Sequence, residues 1–196
     1  VLNGRLLASC HSDGEALLWD LNSQKSMATI SFPRGGPGLA LRRTDDPSQI
    51  IFQTRDPKGI VSLHSIERCN TGRKNNVASD GNSSVSVSLP PESNTTISTV
   101  IRQYETFSQT FCQAAPCYGD KHLLALPSID HSTVEVMDER ADACVGKYCI
   151  SGHGMLTSLA ISVIDSDIGP NAGRPILSCG MESGSVIFFD TSTGSR

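Results

Sequence analysis

Two pairs of cysteines share one spacing. Cys112 and Cys117 enclose Gln-Ala-Ala-Pro, and Cys144 and Cys149 enclose Val-Gly-Lys-Tyr. Two C-x4-C pairs carry the residue types of a zinc site. The spacing argues against it, because residues i and i+5 of a strand point to opposite faces. Pro116 can bend the first pair, and nothing comparable bends the second. Buried structural thiols are the expectation, with no metal. His11, His64, His122, His131 and His153 lie near Asp and Ser residues, as any five histidines would. Gly180-Met-Glu-Ser183-Gly184 has its Ser one place late for a nucleophile elbow. No P-loop is present. Asp13, Asp20, Asp56, Asp130, Asp138 and Asp190 stand at turns or strand ends, where Asp accepts from backbone N–H groups. Arg42-Arg43 and Arg73-Lys74 read as solvated basic pairs. No catalytic residue, cofactor or metal is expected.

Composition narrows the classes further. The 196 residues carry 16 basic and 20 acidic side chains, a formal charge of −4, and 38% of them are hydrophobic. That balance excludes a nucleic-acid binder working through a broad basic surface. No apolar run approaches the roughly 18–20 residues needed to cross a bilayer. The chain begins at Val1 without a basic n-region and apolar h-region, so no signal peptide is read, and the absent Met points to a fragment or an incomplete gene model. Seven cysteines, an odd number spread through apolar segments, favour free thiols in a reducing compartment, cytoplasmic and/or nuclear. Asn82-Ser-Ser and Asn94-Thr-Thr fit the glycosylation pattern, but without a secretory signal they carry no expectation.

The elements that hold these residues emerge from internal repetition. Leu6 to Asp20 aligns without a gap on Ile176 to Asp190. Each segment has a short apolar run, a polar turn ending in Gly (Gly14, Gly184), a second apolar run, and aromatic-Asp: Trp19-Asp20 and Phe189-Asp190. Each reads as a β-hairpin. Weaker copies run from Ile50 through Gly59 to His64 and from Leu123 to Asp138, their endings decayed to Leu63-His64 and Met137-Asp138. The hairpins start near 6, 50, 123 and 176, at intervals of about 44, 73 and 53. Segments 26–32, 38–42, 95–106, 107–113, 143–150 and 155–164 supply the remaining strands. Glu67 to Ser98 is rich in Ser, Asn, Thr and Gly and reads as a disordered insertion. Ser166 to Arg174 reads as a shorter loop. No stretch has sustained helical periodicity, and the expected fold class is all-β.

With these residues in view, the chain resembles the WD-repeat (WD40) β-propeller family. Trp19-Asp20 is the dipeptide that names the family, with Ser12-Asp13-Gly14 before it at the family's spacing. Gly152-His153 precedes Phe189-Asp190 by 37 residues, within the usual span. The degenerate third repeat is similar to that of one branch, the G-protein β-subunit-like and ASTRA-associated protein 1 group. The resemblance implies a partial propeller of about four four-stranded blades, near 1–35, 36–106, 107–151 and 152–196, with the insertion at 67–98. Since the family commonly has seven blades, it also implies a natural protein extending beyond Arg196 and before Val1.

In the family, a His, a turn Asp, a strand hydroxyl and the Trp indole form a hydrogen-bonded chain inside each blade. Carried over, the first blade offers Ser9, Asp13, Gly14, Trp19 and Asp20, and the fourth Gly152, His153, Gly184, Phe189 and Asp190. No blade has a full set: Ser183 stands where the Asp belongs, and Phe189 lacks an N–H. An ordered network is not expected in blades two and three. Alternation pairs Leu17 with Trp19 on one face of a strand buried on both, so Trp19 is expected to be buried.

The function implied is a non-enzymatic protein–protein interaction scaffold. The subfamily resemblance implies a role in assembling phosphatidylinositol-3-kinase-related kinases, or in a chromatin-linked complex. Its partners are other proteins, with no nucleic acid through a basic surface and no membrane. The rival is a hydrolase or other enzyme with its site on a propeller channel, which would need acidic and His residues converging at one mouth. A third reading is a decayed or mis-assembled gene fragment.

Overall fold

A computed structural model describes residues 6–31, 37–44, 46, 48–55, 58–69, 95–108, 110–118, 122–163 and 173–192. Among these residues the regular structure is all strand: β1 (Leu6–Cys10), β2 (Glu15–Asp20), β3 (Lys25–Ser31), β4 (Gly38–Arg43), β5 (Gln49–Thr54), β6 (Ile60–Cys69), β7 (Thr95–Glu105), β8 (Ala115–Pro116), β9 (Leu123–Pro127), β10 (Thr133–Asp138), β11 (Ala143–Cys149), β12 (Leu156–Val163), β13 (Pro175–Met181) and β14 (Val186–Asp190). They form four sheets in chain order: β1-β2-β3, β4-β5-β6-β7, β8-β9-β10-β11 and β12-β13-β14. Each sheet is a meander of sequential neighbours, the topology that short polar turns between apolar runs produce.

The chain divides into two compact units, Val1–Asp56 with Val61–Tyr104, and Pro57–Ile60 with Glu105–Arg196. In the first unit, Ala16, Leu18 and Ile30 of the first sheet pack with Ile50, Phe52 and Ile66 of the second. In the second unit, Leu123, Ala125, Val134 and Val136 of the third sheet pack with Leu159, Ile161, Leu177 and Cys179 of the fourth. Both cores are sheet on sheet, built from every second residue of each strand. In β13, Pro175, Leu177, Cys179 and Met181 are buried while Ile176, Ser178 and Gly180 between them are half-buried. All five residues of β9 are buried, which explains why Leu123 to Pro127 reads as a continuous apolar run.

Three expectations are corrected. The strand expected over 107–113 does not form. The third sheet opens with the two-residue β8 instead. Thr106, Ser108 and Thr110 each accept, through the side-chain oxygen, from the backbone N–H two residues on, at 3.3, 3.4 and 3.2 Å. Hydroxyls at every second position thus claim the N–H groups that a ladder would use. The insertion expected over 67–98 is narrower at both ends, because β6 runs to Cys69 and β7 begins at Thr95. The β-branched run Thr95-Thr96-Ile97 suits a strand despite its polarity; residues 70–94 lie outside the described set. The loop at Ser166 to Arg174 also lies outside it, apart from Gly173 and Arg174. Finally, β2 is not buried on both faces. Ala16 and Leu18 are buried, whereas Leu17 and Trp19 are only half-buried.

Candidate functional site

The first hairpin turns at His11 to Glu15. The His11 N–H donates to the Glu15 carbonyl at 2.8 Å, and the Glu15 N–H donates to Asp13 Oδ1 at 3.2 Å. Gly14 sits at φ +83°, a left-handed conformation that costs an L side chain steric strain. The fourth sheet repeats this turn: Gly184 has φ +83°, the Met181 N–H donates to the Ser185 carbonyl at 2.9 Å, and Ser183 Oγ takes the place of the Asp by accepting from the Ser185 N–H at 3.4 Å.

Inside the first sheet, Leu7 pairs with Trp19 and Ser9 with Leu17. That register sets Ser9 and Trp19 on one face, two positions apart along the ladder, and the indole Nε1–H donates to Ser9 Oγ at 3.0 Å. Asp20 closes the strand and accepts from the Asn22 N–H at 3.0 Å. Asp190 does the same for Ser192 at 2.9 Å and pairs with Arg174 at 3.1 Å. The Ser192 hydroxyl and N–H, with Arg174, hold the Asp190 carboxyl below its ordinary value. Asp130 and Asp138 likewise accept from backbone N–H groups two residues on, at 3.1 and 2.8 Å. Asp56 lies outside the described residues.

The Gly152-His153 segment lies beside the β13–β14 turn, where the Ser183 N–H donates to the His153 carbonyl at 3.3 Å. Phe189, in the position of Trp19, packs its ring on Tyr148, with centroids 5.0 Å apart. The structure therefore joins Ser9 to Trp19 by a side-chain bond and Gly152-His153 to the Gly184 turn through backbone. It leaves Asp13 and Asp20 at opposite ends of β2.

Sequence reasoning missed one polar cluster. Ile50 pairs with His64 as Leu7 pairs with Trp19, and His64 follows Gly59 by the five residues that separate Trp19 from Gly14. His64 thus stands in the Trp position, not at the end of a decayed dipeptide. It is fully buried, with Nε2 2.8 Å from Ser62 Oγ and Nδ1 3.0 Å from Ser98 Oγ. Ser62 directs its hydroxyl hydrogen to the Phe52 carbonyl at 3.3 Å. Nε2 then carries the ring proton, and Nδ1 accepts from Ser98. Burial pulls the ring down to about 4, so it is neutral. The second sheet, where no ordered network was expected, holds a buried one. The available signal was the Gly59–His64 spacing.

The thiols divide. Cys112, Cys117 and Cys179 are buried, and Cys10 is half-buried, but Cys144 and Cys149 are exposed, against the expectation of burial. Register slips in β11 between the partners of Val136 and Met137, where Val145 is the extra residue. The slip breaks the alternation that had placed Cys144 and Cys149 on opposite faces. Five residues of strand still separate them by about 16 Å, too far to share an ion. Burial pushes the Cys179 thiol up to about 12, far from a reactive thiolate. Among the described residues no three His, Cys, Asp or Glu side chains are grouped to hold a metal.

No protein-family model matches this chain, and no curated protein matches it in sequence. Among solved structures it is similar to the β-propeller domain of Cps50 (Swd1) from Myceliophteria thermophila, with a TM-score of 0.64, 10% sequence identity, and coverage of 95% of this chain and 50% of that one. The chain thus spans half the length of that structure. At this identity the likeness is one of fold, and it agrees with four successive antiparallel meanders: the chain has the fold of part of a β-propeller, each sheet a blade.

Proposed function

We propose that the chain is part of a WD-repeat scaffold that binds other proteins and performs no catalysis. The observation that carries this reading is how its polar side chains are used. Asp13, Asp20, Asp130, Asp138 and Asp190 accept from turn N–H groups, and Ser9, Trp19, Ser62, His64 and Ser98 brace strands. These are dispersed structural duties, whereas a channel enzyme would need such groups converging on one mouth. The propeller fold adds support, since rigid blades present loops as docking surface. Trp19-Asp20, joined to Ser9 as the WD pattern requires, supports the repeat type.

The branch resemblance extends the reading to the assembly of phosphatidylinositol-3-kinase-related kinases or a chromatin-linked complex, in the cytoplasm, the nucleus or both. Affinity purification of the full-length natural product, followed by quantitative mass spectrometry, tests it. Kinase-assembly cochaperones or chromatin-complex subunits should be enriched near stoichiometry. Enrichment of no protein over a mock purification would overturn the scaffold reading.

A further inference from the structure

The link that leads from β7 into β8 is packed inside out. Residues 106–111 read Thr-Phe-Ser-Gln-Thr-Phe, with Thr-Phe repeated four residues apart. The hydroxyl residues Thr106, Ser108 and Thr110 are buried, while Phe107 is 40% and Phe111 67% exposed. Burial energetics favour the reverse, because rings gain by leaving water and hydroxyls lose. The backbone is also strained: Phe107 sits at φ +53°, a left-handed conformation unusual for a bulky residue. It is held there by the Phe107 N–H donating to the Lys58 carbonyl at 2.5 Å, and by the Thr106 N–H and hydroxyl donating to the Gly59 carbonyl at 3.1 and 2.6 Å.

Two further apolar side chains stand at this end of the third sheet. Ala115 pairs with Ala125, so the link enters β8 beside the end of β9. Thr133 pairs with Cys149, so β11 leaves for β12 beside the start of β10. The β9–β10 turn carries Ile129, 62% exposed, and the β11–β12 link carries Met155, 45% exposed. Turn and link are bonded together: the Ile150 N–H donates to the Ser132 carbonyl at 2.9 Å, and the Leu156 N–H to the His131 carbonyl at 2.7 Å. All four apolar side chains belong to loops at strand ends, with sheets before and after them along the chain, and none lies on a sheet face.

Charge at this end is one-sided. Residues 106–114, 128–132 and 150–155 contain no Lys or Arg. Asp130 supplies a carboxylate, and bonds from the Thr133 hydroxyl, at 2.7 Å, and from Ser132 hold it below its ordinary value. Glu182 supplies a second, which accepts from the Met155 N–H at 3.3 Å. Lys58, 6.0 Å from the Phe107 ring centroid, is paired with Glu105 at 2.8 Å. We propose that Phe107, Phe111, Ile129 and Met155 form a docking surface for a segment of another protein that carries apolar side chains beside a Lys or Arg. This rests on the scaffold reading above and adds the place and the chemistry of the partner. The apolar side chains cover the exposed rings, and the cation faces Asp130 and Glu182. Loops already fixed by backbone bonds lose little freedom on binding, so the rings are preorganised anchors.

Selection of a phage-displayed random peptide library on the full-length natural product tests this. Enriched peptides should combine Leu, Ile, Met or Phe with a Lys or Arg. The most enriched peptide, synthesised and labelled, is then titrated by fluorescence anisotropy. Phe111→Ala and Ile129→Ala should each weaken its binding about tenfold. Glu182→Gln should weaken it less and flatten its salt dependence. Val145→Ala, at an exposed position within β11, should leave it unchanged. The truncated side chains are exposed, circular dichroism melts verify folding, and Met155→Ala replaces either truncation that melts early. No enrichment, enriched peptides without a basic residue, or binding indifferent to both truncations or to salt would overturn the proposal. Failure of the scaffold reading is distinguishable: proteins that copurify equally with the wild type and with a Phe111→Ala, Ile129→Ala double variant would leave that reading standing and exclude this surface.

Discussion

Leu7 and Leu177 occupy the same place in two sheets, each opposite the aromatic residue that precedes the closing Asp, yet only Leu177 is sealed from water. The reverse holds one position along, where Leu18 is buried and Phe188 is not. The two hairpins share turn, register and alternation, so local sequence cannot be the cause of the difference. Neighbours are. The first sheet finds its partner in the second and buries the face turned that way, while the fourth finds its partner in the third and buries the opposite one. A repeated hairpin thus specifies two apolar faces, and packing order decides which of them contributes to stability.

The sharpest way to break this comparison is to truncate matched positions. Leu177→Ala should destabilise the chain by about 2–5 kcal/mol, as a large-to-small change in a closed core. Leu7→Ala should stay within about 1 kcal/mol. The order inverts one position along: Leu18→Ala belongs with the costly change, Phe188→Ala with the cheap one. Urea midpoints at constant m-value read all four. Equal costs at Leu7 and Leu177 would show that the first sheet buries both faces in solution.

A second expected effect concerns the Trp position itself, which His64 fills in the second sheet. The buried ring titrates near 4, below its ordinary 6.5. The unfolded chain therefore takes up the proton first as pH falls. The stability linked to His64 is complete above about pH 6.5, is lost progressively down to about pH 4, and amounts to at most about 3 kcal/mol. His64→Gln should flatten that part of the pH–stability profile. An unchanged slope would place the titration elsewhere. Ser98→Ala should cost about 1–2 kcal/mol at neutral pH by removing a partner of the buried ring.

Much of the architecture was legible in the sequence. Thirteen strands fall on segments read from alternation and turn residues, with ends shifted by a few positions, because apolar period and Gly turns are local signals. The opening strand of the third sheet was not legible. Thr106, Ser108 and Thr110 suit a strand by type, and only the geometry shows their oxygens taking the backbone N–H groups. Nor was the buried network of the second sheet, since Ser98 lies 34 residues from His64 across sequence that reads as solvated loop. The Ser9–Trp19 pair was legible because ten residues of hairpin hold it together.

Trp19 yields a smaller effect than a fully buried indole would. Its face of β2 is half-buried, so Trp19→Ala should cost about 2 kcal/mol, below the usual range for a buried Trp. Its fluorescence should be partly quenched by iodide. Complete quenching would place the indole outside the sheet and sever it from Ser9.

The smallest expected effect tests what the two hairpins keep in common. Gly14 and Gly184 share φ +83°. A Cβ built on Gly184 meets nothing within 4 Å, so Gly184→Ala should cost only the backbone strain of a left-handed L residue, about 1 kcal/mol. Gly184→Asn should cost less, because Asn tolerates that region. Gly14 is buried, and Gly14→Ala should exceed Gly184→Ala by whatever the added methyl displaces. Thermal melts should therefore rank the losses from Gly184→Asn, the least, through Gly184→Ala to Gly14→Ala, the greatest. If Gly184→Ala and Gly184→Asn were equally tolerated, the fourth-sheet turn would not be left-handed in solution, and its equivalence to the first would rest on strand register alone.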